Sequence, residues 1–259
     1  MPVAHIHHTD IFYVAEGNPA HPALLFSNSL GTDHRMWQTQ ADALSHDFYV
    51  IRYDTRGHGQ SARPKGPYQL QQLGQDVTGL LDHLGIAKTH FCGLSMGGVI
   101  GQWLGIHASE RLIKLVVANT AAKVGTTDGW LTRAAAVRAD GLGAIADSAA
   151  SRWFSPAFIE SQNPIIAELI AHLRAENTEG YASCCEALAT ADLREDIHAI
   201  PHPALIIFGD YDPVTTAADA ALMQQKIKNG RVVTLPASHI SNIEAEPLFT
   251  RAISDFLTP

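Results

Sequence analysis

A chain of 259 residues, 46% of them hydrophobic, is long enough to bury a sizeable core and too apolar to remain disordered. Its formal charge of −8 excludes nucleic acid and anionic membrane as natural partners, and an anionic ligand would have to be met by a local cation. No apolar run approaches the roughly 18 residues of a membrane span, and three histidines within the first ten residues are unlike a secretion signal, so a cytoplasmic location is expected.

Residues 3–8 and 11–16 read as a hairpin turning at Thr9-Asp10. The run Ala23-Leu24-Leu25-Phe26 is unbroken apolar sequence, as in strands covered on both faces, and 48–53, 89–92 and 112–118 repeat the pattern. Helical stretches at 35–44, 70–84 and 96–107 lie between them. From 121 to 199 the sequence is alanine-rich, helical in period and without a strand candidate. Alternation resumes with a strand at 204–208, a helix at 216–226, a strand at 231–235 and a last helix ending at Leu257. Such alternation specifies an α/β fold with a mostly parallel central sheet flanked by helices. Residues 1–120 and 200–259 are expected to form this core. Residues 121–199 are expected to form an all-helical cap, inserted after the sixth strand and lying over the carboxyl ends where open sheets bind ligands.

The strongest chemical signal is Gly93-Leu94-Ser95-Met96-Gly97, followed by Gly98. It matches the G-x-S-x-G nucleophile elbow and stands between an expected strand and an expected helix. The sharp turn presents the serine hydroxyl, and the next amide opens a helix whose dipole favours negative charge. A serine so placed needs a base, and its partners follow in the order acid, then histidine. His239, in Leu235-Pro236-Ala237-Ser238-His239, is alone among 14 histidines in following the final strand. The acid comes from Gly209-Asp210-Tyr211-Asp212-Pro213: Asp212 fits the spacing, and Asp210 is the alternative. The cysteines Cys92, Cys184 and Cys185 have no metal-ligand spacing, and the histidines His5, His7 and His8 alternate along a strand without acidic company; no metal is expected.

With these residues the whole chain resembles the α/β-hydrolase family. Arg52-Tyr53-Asp54-Thr55-Arg56-Gly57-His58-Gly59-Gln60-Ser61 is close to the family's D-x-R-G-x-G-x-S loop, which the resemblance makes structural. Where most relatives carry His-Gly, this chain has Asn28-Ser29 within Ser27-Asn28-Ser29-Leu30-Gly31-Thr32-Asp33. The resemblance places the oxyanion hole at the backbone amides of Leu30 and Met96, which do not depend on that departure. This variant, the elbow, and Arg152-Trp153-Phe154 together resemble 3-oxoadipate enol-lactonases of aromatic degradation, in its protocatechuate or catechol branch.

The resemblance implies a carboxylic-ester hydrolase that opens a small anionic enol-lactone by nucleophilic catalysis, without a cofactor. A cap arginine is expected to meet the substrate carboxylate. Arg133, one helical turn from Trp130, is the first candidate, with Arg138 and Arg152 as alternatives. Trp130, Trp153 and Ser29 are candidate pocket residues. A broader carboxylesterase, a perhydrolase or a carbon-carbon bond hydrolase would use the same triad. A small-molecule receptor on a hydrolase fold is the non-enzymatic alternative. Dehalogenases and epoxide hydrolases carry aspartate at the position of Ser95 and are disfavoured. The sequence does not specify an oligomeric state.

Overall fold

A computed structural model describes residues 2–258; Met1 and Pro259, at the ends of the expected core, lie outside them. Eight strands form one sheet: β1 (Val3–Ile6), β2 (Thr9–Glu16), β3 (Ala23–Ser27), β4 (Tyr49–Tyr53), β5 (Thr89–Leu94), β6 (Leu112–Ala118), β7 (Ala204–Gly209) and β8 (Gly230–Leu235). Their order is β1-β2-β4-β3-β5-β6-β7-β8. The first two pairings are antiparallel and the remainder parallel. The apolar runs account for the centre: every residue of β3 and of β5 is buried, as strands sandwiched between helical layers must be.

From β3 the chain moves outward to β4 and returns across β3 to β5, so the winding reverses between β3 and β5. Beyond the carboxyl ends of those two strands such a reversal leaves a crevice, and there the chain places the 27–33 loop and the Ser95 turn.

One element differs from the sequence reading. The hairpin turns at His7-His8, both with positive φ (49° and 62°), and the register pairs Ile6 with Thr9 and His5 with Asp10. A two-residue turn of this hand matches strand twist. It brings Asp10 opposite His5, whose Nδ1 lies 2.8 Å from the carboxylate, so His5 does have acidic company.

Between β6 and β7, helices Thr127–Asp140, Gly143–Asp147, Ala149–Trp153, Pro156–Glu160, Pro164–Ala175 and Thr178–Thr190 follow one another with no intervening strand among the described residues. The last of them rests on the 52–61 loop so closely that a Cβ on Gly180 would come within 2.1 Å of the Gly57 carbonyl oxygen. That loop is itself fastened below. Arg56 forms a buried ion pair with Asp76, and Ser61 Oγ donates to Asp54 O at 2.6 Å and accepts from Phe12 N at 2.9 Å. Among the described residues no helix is long and apolar enough to cross a membrane.

Candidate active site

Ser95 sits at the turn from β5 into helix Met96–His107, with φ 56° and ψ −115°. A non-glycine residue in that region costs roughly 1–3 kcal/mol and persists only where its surroundings over-determine it. Here they do: Ser95 N donates to Ala118 O at 2.9 Å, and Ser95 O accepts from Thr120 Oγ1 at 2.7 Å. The flanking glycines are sterically required. A Cβ on Gly93 would lie 2.1 Å from Gly97 O, and one on Gly97 would lie 2.2 Å from Ser27 O.

Leu30, which lines a cavity with Ser95, and Met96 are both buried, and neither backbone amide has an acceptor among the described residues. The loop that carries Leu30 is held by named contacts. Asn28 Nδ2 donates to Tyr53 O at 2.7 Å, and Asn28 Oδ1 accepts from Trp37 Nε1 at 3.0 Å. Gly97 N donates to Asn28 O at 3.0 Å, and Gly31 N donates to His58 Nε2 at 3.0 Å. Asn28, where the expected family motif has histidine, thus serves to fasten the loop through its side chain.

His239 and Asp212 come from the loops after β8 and β7. His239 Nδ1 donates to Asp212 Oδ2 at 2.9 Å. The same oxygen accepts from Thr215 Oγ1 at 2.6 Å and Asn119 Nδ2 at 3.1 Å, while Oδ1 accepts from Val214 N at 2.7 Å and Thr215 N at 3.2 Å. Burial opposes charge on this carboxyl, but the imidazole of His239 and the hydrogen bonds from His239, Thr215 and Asn119 outweigh it, holding the pKa down at about 2. Five donors converge on Asp212. Asp210 makes no such network.

Ser95 and His239 border one cavity of about 420 Å³, together with Ser29, Leu30, Trp130, Arg133, Arg152, Trp153 and Tyr181. The Arg133 guanidinium lies over the Trp130 ring, 4.9 Å from its centroid, and Trp130 Nε1 is tied to Val124 O at 2.6 Å. Arg152 donates to Ser148 Oγ and Ile145 O, both at 2.9 Å. Burial, and then the charge of Arg133, lower its pKa. Among the described residues neither arginine has a carboxylate partner.

A family model described as alpha/beta hydrolase fold matches residues 22–246. The chain belongs to the α/β-hydrolase fold family. This α/β hydrolase is 49% identical to 3-oxoadipate enol-lactonase 2 of Acinetobacter baylyi, over 98% of its own length and 97% of the relative's. It is 48% identical to 3-oxoadipate enol-lactonase 1 of the same organism, over 91% and 88% of the two chains. Its structure matches that of the enol-lactonase from Burkholderia xenovorans LB400 with a TM-score of 0.98 at 44% identity, covering 100% of each chain.

Of the arginines weighed from sequence, the α/β hydrolase brings Arg133 and Arg152 to the cavity and keeps Arg138 away. Arg138 is bound instead by Glu179 and Glu186 at 2.6–3.0 Å. Five residues along a helix turn the direction by about 140°, so Arg138 leaves the face of Arg133 and meets helix Thr178–Thr190. Sequence reasoning missed Asn119, Thr215 and Tyr181. Asn119 carried a signal, since it is the first polar residue after the apolar run of β6, and Thr215 carried one in its closeness to Asp212 in sequence; Tyr181 carried none. Asp33, His34 and Asp54 also gather closely enough to surround a cation. Their oxygens are already engaged, however: Asp33 by Arg35, and Asp54 by His34 N, His34 Nδ1 and Gln60 N, each at 2.8 Å.

Proposed function

We propose that this hydrolase opens 3-oxoadipate enol-lactone to 3-oxoadipate, a step of aromatic degradation, through an acyl-enzyme on Ser95. The observation that carries the reading is a cavity that joins Ser95 and His239 to two arginines, Arg133 and Arg152, which lack acidic partners among the described residues. In a chain of net charge −8, such unpaired cations are suited to an anionic substrate.

In the proposed reaction His239 takes the proton of Ser95 as its oxygen attacks the lactone carbonyl. Asp212 holds Nδ1–H, which leaves Nε2 unprotonated to accept the serine proton, and it stabilises the imidazolium. The oxyanion is met by the amides of Leu30 and Met96, each donor being worth roughly 3 kcal/mol in the transition state. Cleavage of the ring C–O bond releases an enolate within the same molecule, which takes the proton held by His239 and becomes a ketone, leaving the imidazole neutral. Water activated by His239 then cleaves the acyl-enzyme and leaves the second carboxylate of the product. Arg133, stacked on Trp130, binds the acetate arm of the lactone, with Trp153 and Ser29 completing the wall and the 121–199 helices acting as the cap.

The test is a comparison of kcat/KM on the enol-lactone and on p-nitrophenyl acetate. The reading expects a strong preference for the lactone; preference for the simple ester would refute it in favour of a general carboxylesterase.

A further inference from the structure

The loop that carries His239 is held on both sides of the histidine by groups tied to the helical segment. Ser238 N donates to Glu244 Oε2 at 2.8 Å, and Ile240 N donates to the Trp153 carbonyl at 3.0 Å. The Glu244 carboxylate does not stop at its own loop. It accepts from Ser155 N, at 3.3 Å and 3.2 Å for its two oxygens, and from the Ser155 hydroxyl. Ser238 and Ile240 bracket His239; Trp153 and Ser155 bracket the point where the cavity wall ends. Against the sheet, the same loop is held at Ser238 O by Asn119 Nδ2 at 3.1 Å and at the imidazole by Asp212. No step of the proposed reaction uses Glu244.

We propose that Glu244 is a positioning residue that ties the His239 loop to the 153–155 stretch, so that the general base and the Trp153 wall of the cavity move as one body. Displacement of the helical segment then withdraws the base along with the wall, and a closed cavity is coupled to a correctly placed imidazole. The inference rests on reading Ser95 and His239 as nucleophile and base. A misplacement of about 1 Å at a reacting group costs on the order of 100-fold in rate, so a single carboxylate can matter at this distance from the bond that breaks.

The variants are Glu244→Gln, Ser155→Ala and the double variant. A glutamine amide keeps a single acceptor oxygen for Ser238 N and Ser155 N and carries no charge, which weakens the tie. Two rates are read: phosphonylation of Ser95 by a fluorophosphonate, and kcat for the enol-lactone per labelled site. Both fall at least about tenfold in Glu244→Gln and about threefold in Ser155→Ala, and the double variant stays within about twofold of Glu244→Gln, because neighbours that share one interaction are not additive. Wild-type rates per site in Glu244→Gln, with only the melting temperature lowered, would overturn the proposal, as would additive losses. If Glu244→Gln does not fold, Ser155→Ala decides alone, and a wild-type labelling rate there overturns it. Wild-type enzyme that is never labelled at Ser95 removes the triad reading itself. Labelled wild type with equally reactive variants removes only the role of Glu244.

Discussion

Replacing Asp212 by asparagine tests the electrostatic core of the site. Both carboxylate oxygens accept only donors: Val214 N and Thr215 N on one, and Thr215 Oγ1, His239 Nδ1 and Asn119 Nδ2 on the other. An amide must turn its NH2 towards one set. With the NH2 towards the backbone, two buried amides lose their acceptor, at about 1–3 kcal/mol each. With the NH2 towards the imidazole, Nδ1 can accept only as the other tautomer, and Nε2 then carries a proton where it should receive one. The second arrangement predicts a loss in kcat on the order of 10⁴. A stability effect accompanies it. With a folded pKa of about 2 against an ordinary 3.8, Asp212 contributes about 2 kcal/mol that is fully present above pH 4 and is lost as pH falls through 2. The assays are enol-lactone turnover at pH 7 for Asp212→Asn and Asp210→Asn, and urea unfolding between pH 6 and pH 2. Asp210→Asn should retain activity within about threefold, and the acid-induced loss of stability should be shallower in Asp212→Asn than in wild type. The reasoning is refuted if Asp212→Asn works within tenfold of wild type, or if Asp210→Asn is the more damaged.

Arg133→Met should raise KM for the enol-lactone about 10- to 100-fold, the worth of a charge-assisted pair, while kinetics on neutral p-nitrophenyl acetate stay near wild type; equal losses on both esters would remove the carboxylate contact. Gly93→Ala drives a Cβ to 2.1 Å from Gly97 O, and urea titration should show a loss above about 3 kcal/mol or no folded protein. Asp76→Ala strands the Arg56 charge in a buried site and should cost about 3–5 kcal/mol, again by urea titration, with kcat per folded molecule nearly unchanged.

The sheet was legible because β3, β5 and the Leu115–Ala118 half of β6 are largely apolar and buried throughout, as strands covered on both faces must be. The elbow was legible because its glycines answer a steric demand that any G-x-S-x-G turn between strand and helix imposes. The hairpin turn was not, since it depends on two histidines adopting positive φ, for which no residue type gives notice. Nor was the partnership of Arg138, which depends on where a helix some 40 residues further along the chain sets its glutamates. The donors around Asp212 were half legible: Val214 and Thr215 are its neighbours in sequence, but Asn119 reaches it only because β6 and β7 lie side by side. Local sequence thus specified the strands, the elbow and the chain order of the proposed reacting groups. The selection between one arginine and another was made by tertiary contact.

The most direct measurement is the rate at which Ser95→Ala opens the enol-lactone, taken beside its melting temperature and its binding of the product. A nucleophilic Ser95 predicts a fall of at least about 10³-fold with melting temperature and product affinity little changed. Turnover within tenfold of wild type would contradict it, and with it the chemistry assigned to the cavity.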